Sequence, residues 1–339
     1  MPSPIIHGGG ITEAASLYGG DPKDWLDLST GINPNPVALP PIPPEAWHRL
    51  PDAYLADAAR TAAAHYYGSG GIRPLPVPGT QSVIQLLPRL VVPGRRVAIF
   101  TPTYGEYARV FDAGGFVIDP VETIGVEAIG QGLADHGMVV LVNPNNPTGR
   151  AFSVQDISGM ARGLAQTGGL LLVDEAFGDM QPERSAASLV HDHPNLIVFR
   201  SFGKFFGLAG LRLGFVIAAA PVLSPFEEWL GPWPVSGPAL SIAASLLTGN
   251  RHAVHALIRE RKTALDGVLT EAGLLPVGGT ALFSLVVHDH ADRLHAHLCR
   301  AKILTRKFDY APFWLRVGLA PDAAGDTRLR EALRHFDTA

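Results

Sequence analysis

The stretch LIVFRSFGKFFGLAGLRLG, residues 196–214, decides how this chain folds. It opens on an apolar run of strand length and continues through glycines and apolar residues, among which stand one lysine, Lys204, and one arginine, Arg212. Taking an ammonium or a guanidinium out of water is costly, so cations in such company need a reason. For an arbitrary lysine the reason is bland, a stem laid over apolar neighbours with its head in water. In an enclosed cleft a lysine can instead act as an amine nucleophile toward a carbonyl compound, and an arginine there needs an anion. A phosphate-bearing aldehyde would satisfy both.

The surroundings extend the pattern. RVAIF (96–100), FVIDPV (116–121), MVVLV (138–142), LLLVD (170–174) and GFVIAA (214–219) are further apolar runs, with helical candidates between most of them. This alternation predicts an α/β fold with a mainly parallel sheet sandwiched by helices. Residues 238–273 read as helical for most of their length. ALFSLVV (281–287), ILTRKF (303–308) and FWLRVGL (313–319) then suggest a few strands, with helices at 291–301 and 326–336, as a smaller α+β unit. Proline and glycine are dense before residue 80, as in NPNPVALPPIPP (33–44), which predicts an extended arm.

Composition narrows the function classes. Of 339 residues, 47% are apolar and 17% charged, as in a packed globular protein. A net charge of -4 without a Lys/Arg run offers no field for nucleic acid. The single cysteine, Cys299, excludes an internal disulfide framework and a multi-cysteine zinc site, and a reducing cytoplasm follows as the expectation. No apolar run nears membrane-spanning length, and MPSPIIHGGG at the start lacks the features of a signal peptide. HGGG also serves esterases, but the G-x-S-x-G elbow they need is missing. Histidine pairs at 191–193, 288–290 and 295–297 fit solvated loops and helix ends, so no metal is expected. Trp233 and Trp314 are expected to pack in the core.

Three predicted strands run directly into polar groups at their carboxyl ends: MVVLV into NPNNPTG (143–149), LLLV into Asp174 and Glu175, and LIVFR into Ser201 and Lys204. Ligands of open parallel sheets bind outside those ends. PGTQSVIQLLPRL (78–90) adds Thr80 and Gln81 at a helix start, where free N–H groups favour a phosphate. Pyridoxal phosphate is a phosphate-bearing aldehyde that also needs an acid opposite its ring nitrogen, and Asp174 is the candidate. Glu175 beside it is read as a structural hydrogen-bonding residue.

Taken with HGGGITEAASLYG (7–19), WLDLSTGINP (25–34), DEAF (174–177) and LRVGL (315–319), these stretches resemble the aminotransferase-like, fold-type I pyridoxal phosphate enzymes over nearly the whole chain. Within them the resemblance is strongest to the cobalamin-pathway branch that decarboxylates threonine phosphate, itself similar to the histidinol-phosphate aminotransferases. The resemblance implies that Lys204 carries the coenzyme and reprotonates the α-carbon. It gives Asp174 the ring nitrogen, Asn146 the phenolic oxygen and Tyr104 the ring face. Thr80, Gln81, Ser201 and Arg212 would hold the cofactor phosphate. For a phosphorylated amino acid substrate it implies Arg316 at the carboxylate, with His7, Asn33, Asn146 and Arg306 around the rest.

It further implies a homodimer. The expected domains are an N-terminal arm over 1–45 that forms part of the small domain, a large coenzyme-binding domain over 46–272 and a C-terminal small domain over 273–339. Two residues depart from the relatives: Phe177 where many aminotransferases have tyrosine, and Leu50 where a tyrosine often reaches the other subunit's cofactor phosphate. An aminotransferase acting on histidinol phosphate, or a non-catalytic binding protein on the same fold, are the alternatives.

Overall fold

The structure, a computed structural model, describes residues 7–122, 132–133 and 135–336. The chain divides into two compact units, one formed by residues 37–146 and 151–250, the other by residues up to 36, 147–150 and from 251 on. The discontinuous unit begins with α1 (Ile11–Tyr18) and β1 (Leu26–Asp27). Ala14 and Ala15 of α1 are buried with Trp25, Cys299 and Leu304.

The larger unit opens with α2 (Glu45–His48) and α3 (Ala53–Tyr67), so the proline-rich expectation for the first 80 residues holds only in part. The α3 sequence AYLADAARTAAAHYY is rich in alanine, the best helix former. Asp52 caps its first turn by accepting from Tyr54 N–H, and Gly68 ends it in the left-handed region at φ 62°. Local propensity therefore overrides the regional glycine and proline content.

A seven-stranded sheet fills this unit. Its members are β2 (Leu75–Val77), β3 (Arg96–Thr101), β4 (Ile118–Glu122), β5 (His136–Val142), β6 (Leu170–Asp174), β7 (Leu196–Ser201) and β8 (Gly214–Ile217), in the spatial order β2-β8-β7-β6-β5-β3-β4. Strands β3 to β7 pair in parallel, while β8 runs antiparallel to both β7 and β2. Every residue of β5 is buried, the mark of a central strand covered on both faces. Val97, Ile99, Met138, Val140, Leu172, Ile197 and Phe199 form the core of one face, at the alternation a pleated strand imposes. Because β3 lies between β4 and β5, the strand order reverses at β3 and β5, and in open sheets of this kind ligands bind outside the carboxyl ends at such a reversal. Helices α4 (Thr80–Ile84), α5 (Glu106–Ala113), α6 (Val154–Ala165), α7 (Phe202–Phe205), α8 (Ala220–Leu230) and α9 (Gly237–Thr248) complete the unit.

The other unit continues with α10 (His252–Glu271), β9 (Pro276–Thr280), β10 (Phe283–Val287), α11 (Ala291–Arg300), β11 (Ile303–Leu304), β12 (Arg306–Lys307), β13 (Trp314–Gly318) and α12 (Ala323–Arg334). Its antiparallel sheet has the order β12-β13-β10-β9, and β1 pairs with β11 in parallel. The expected limit of 272 differs from this division because α10 is tied to α12: buried Arg261 pairs with Asp326, and Arg330 Nε meets Glu271 Oε2 at 2.7 Å. Residues 147–150 join the same unit through β9. Gly279 N–H donates to Thr148 O at 3.1 Å, and a Cβ at Gly149, whose φ is +72°, would overlap the Gly279 backbone. Only glycine fits there.

Trp233 departs from the expectation of core packing. It is 54% exposed, on left-handed backbone at φ 56° between two prolines whose fixed φ keeps the segment out of regular structure. Trp314 is half-buried, edge-on to Phe308. Among the described residues no helix is long and apolar enough to cross a membrane.

Candidate active site

The carboxyl ends of β3, β5, β6 and β7 carry the candidate coenzyme residues, all within the larger unit. The loops after β3 and β5 flank the strand-order reversal and are bonded to each other: Thr103 Oγ1 donates to Asn145 Oδ1 at 2.7 Å, and Asn145 Nδ2 donates to Pro102 O at 2.9 Å. Asn143 fixes the second loop from behind by accepting from Phe152 N–H at 2.8 Å. Asn146 thus follows directly on a loop braced at Asn143 and Asn145.

Asp174 ends β6 and is 4% exposed. The Tyr107 hydroxyl donates to its Oδ2 at 2.7 Å, and Ala176 N–H donates to Oδ1 at 2.9 Å. Burial pushes the Asp174 carboxyl up from the usual carboxylate range, against these two hydrogen bonds and the nearby Lys204 charge, which pull it down. A buried carboxylate so placed stabilises a cation beside it. Lys204, in the helical turn after β7, lies 5.6 Å from the centre of the Phe177 ring and close enough to Asp174 for their charges to interact. Gly203 lets this turn close, because a Cβ there would stand 2.6 Å from Ala209 Cα.

The phosphate candidates gather around Gly79, the residue before α4. Its φ of +73° and its missing Cβ let the Arg212 guanidinium lie against it; a Cβ would come within 2.8 Å of Arg212 Nη2. Arg212 is itself left-handed at φ 53°, and its Nη1 donates to Ala209 O at 3.0 Å. Ser201 pairs in register with Gly214, whose Cα faces Thr80. Gln81 reaches the β3 side, where it accepts from the Tyr104 hydroxyl at 3.1 Å and donates to Glu106 Oε2 at 2.6 Å. Gln81 and Tyr104 are thus bonded to each other, Thr80 and Ser201 both adjoin Gly214, Arg212 lies against Gly79, and Tyr104 meets Tyr107 edge-on at 6.2 Å.

This donor set fits pyridoxal phosphate. The Arg212 guanidinium lies against Gly79 at the start of α4, where a Cβ would displace it, and a buried carboxylate with a nearby lysine stands at the other end of the tyrosine pair.

Of the substrate candidates, His7, Asn33, Arg306 and Arg316 lie in the other unit, and Asn146 closes the first segment of the larger one. Arg306 and Arg316 face each other in register across β12 and β13, and Arg316 is 4% exposed. Burial and the neighbouring Arg306 charge hold the Arg316 guanidinium down to about 9. Two cations opposed on a strand pair repel each other, which an anion between them would reverse. Arg316 Nη2 donates to Ser29 O, and Ser29 Oγ accepts from Gly9 N–H at 2.8 Å, which sets the chain following His7 beside it. Asn33 is buried, and its Oδ1 accepts from Asn35 N–H at 3.0 Å.

Sequence reasoning missed Tyr107, Glu106 and Arg200. The first two share TPTYGEY with Tyr104, and their spacing onto the first turn of α5 was the available signal. Glu175 is confirmed as structural: it accepts from Ser185 Oγ and Ala186 N–H, both at 2.6 Å, and pairs with buried Arg200 at 2.6 Å. No three His, Cys, Asp or Glu side chains gather for a metal ion among the described residues.

A threonine-phosphate decarboxylase of a Sinorhizobium species is 62% identical over 337 residues, covering 99% of this chain and 100% of the relative. A second, from Pseudomonas aeruginosa, is 44% identical, covering 98% of each. Among solved structures, the histidinol-phosphate aminotransferase of Sinorhizobium meliloti in complex with pyridoxal-5'-phosphate superimposes with a TM-score of 0.81 over 98% of this chain and 96% of that one. Its sequence is 20% identical, so this likeness speaks to the fold. The pattern of aminotransferase class I and II runs over residues 23–333, through both units and every strand end described above, and this chain belongs to that family.

Proposed function

We propose that the chain is a pyridoxal phosphate-dependent carboxy-lyase that converts L-threonine O-3-phosphate to (R)-1-amino-2-propanol O-2-phosphate and carbon dioxide, a step of cobalamin synthesis. The observation that carries this reading is the 62% identity, end to end, with a relative named for that decarboxylation. Bound in the site, the coenzyme supplies an aldehyde for the substrate amine and a ring that accepts the electron pair left by departing carbon dioxide. Lys204 would hold the coenzyme between turnovers and, once freed as an ammonium carrying the proton that the substrate amine gave up, would deliver that proton to the substrate α-carbon. Asp174 keeps a proton on the ring nitrogen, and Tyr104 covers the ring face. Asn146 bonds the phenolic oxygen, while Thr80, Gln81, Ser201 and Arg212 hold the phosphate.

On the substrate side, Arg316 takes the carboxylate, His7 and Arg306 take the substrate phosphate, and Asn33 lines the same region. The enzyme acts as a homodimer in the cytoplasm. The exposed apolar side chains Trp47, Leu50 and Tyr54, at 66%, 63% and 72% exposure, support an interface on the larger unit.

The reaction is tested by incubating the protein with threonine phosphate, and separately with histidinol phosphate and 2-oxoglutarate. Carbon dioxide from the first alone supports the decarboxylase. Glutamate from the second makes the chain an aminotransferase, and a colourless protein inactive in both is a binding protein on the same fold.

Arg316→Ala is expected to raise the Michaelis constant for threonine phosphate about a hundredfold, the scale of one charge-assisted pair, with the bound coenzyme retained. Steady-state kinetics beside the visible spectrum check this. Loss of the coenzyme band would place Arg316 elsewhere.

A further inference from the structure

Tyr107 has no part in the roles above, yet it makes the shortest side-chain bond to Asp174. It stands on the first turn of α5, fully buried, and its hydroxyl donates to Asp174 Oδ2 at 2.7 Å. Ala176 N–H occupies the other carboxylate oxygen at 2.9 Å, so one rigid donor holds each oxygen and the carboxylate plane is fixed. Burial pushes the Tyr107 phenol well above its ordinary range, with the Asp174 charge acting in the same direction. The phenol therefore keeps its proton and acts toward Asp174 only as a donor. The ring of Tyr107 also meets Tyr104 edge-on, at an interplanar angle of 82°, so the same side chain braces the residue assigned to the coenzyme face.

We infer that Tyr107 is a positioning residue of the reaction: its hydroxyl orients Asp174 and, by donating to Oδ2, keeps the carboxylate too weak a base to take the proton from the coenzyme's ring nitrogen. The inference rests on the proposed role of Asp174. A carboxylate that loses one of two donors in a buried place becomes more basic, and the shared proton passes to it. The ring then accepts electrons less readily, and the loss falls on the chemical step and not on substrate binding. Other charged or titratable groups facing the pair are Lys204 and Glu175 beside Asp174 and Tyr104 beside Tyr107.

The test uses Tyr107→Phe, which removes one oxygen and keeps the ring. In the holoenzyme without substrate, the absorption of the lysine-bound coenzyme is expected to change and its affinity to fall about tenfold. With threonine phosphate, kcat is expected to fall about ten- to a hundredfold with KM within about twofold, the range for losing one hydrogen bond to a charged group. Unchanged absorption, affinity and kcat would make Tyr107 a packing residue and end the inference.

An Asp174→Asn background separates positioning from folding. If Tyr107 acts through Asp174, adding Tyr107→Phe there leaves coenzyme absorption and affinity where Asp174→Asn alone put them; a further additive loss overturns the idea. The substrate-free readings stand apart from the reaction assay. A spectral shift in a protein that releases no carbon dioxide from threonine phosphate refutes the proposed substrate and leaves Tyr107 in place. A parent protein with no visible band refutes both.

Discussion

Lys204→Ala is expected to abolish decarboxylation, by at least about four orders of magnitude, the scale on which removal of a nucleophile acts. In the proposed reaction Lys204 does two things, holding the coenzyme and returning a proton, and alanine does neither. Its charge also lowers the Asp174 carboxyl, so the variant loses a favourable interaction with that buried carboxylate. Lys204→Arg separates these effects: it restores a cation near Asp174 without a nucleophilic amine, and its activity stays as low as that of the alanine variant. Borohydride reduction of the parent holoenzyme followed by peptide mapping should find the coenzyme mass on the peptide containing position 204. An adduct at another lysine, or none, refutes the site as assigned.

The second large effect concerns stability. Arg200→Ala is expected to destabilise the protein by about 3–5 kcal/mol, because it strips the cation from buried carboxylates. Arg200 is 2% exposed, with Nη1 at 2.6 Å from Glu175 Oε2 and Nη2 at 3.1 Å from Asp179 Oδ1. Its guanidinium also lies 4.5 Å over the Tyr67 ring, and Tyr66 donates to Asp179 at 2.8 Å. Burial alone would pull its pKa down, but Asp179 and Glu175 outweigh that and hold it above the ordinary arginine value. Lysine should recover only part of the loss, since one ammonium cannot reach both carboxylates as the planar fork does. Denaturant unfolding of the three proteins measures this. If Arg200→Ala stays within about 1 kcal/mol of the parent, as a screened surface pair would, the cluster is not the strut described.

The sheet was legible because strands buried on both faces leave unbroken apolar runs, and β3 and β5 to β8 each contain one. What escaped lacked such a run. β2 is three residues long with Pro76 in it, tolerable because it lies at the sheet edge. β9 carries two glycines, and α3 was hidden within a region counted as proline- and glycine-rich. The site was legible where residues stand at strand ends, as Asp174, Ser201 and Lys204 do. Arg200 was not, although it adjoins Ser201, because successive strand residues point to opposite faces and its partners come from distant segments. Tyr107 was hidden for another reason: a tyrosine inside an amphipathic helix start looks like core, and only its one buried hydrogen bond separates the two.

The discontinuity of the smaller unit has a consequence for synthesis. Leu26 pairs with Ile303, so β1 leaves the ribosome long before the strand that completes it exists. The larger unit ends at residue 250 and has its whole sheet in hand by then. Nascent chains should therefore acquire protease resistance in the larger unit first, while the amino-terminal segment waits, available to chaperones, until translation nears its end.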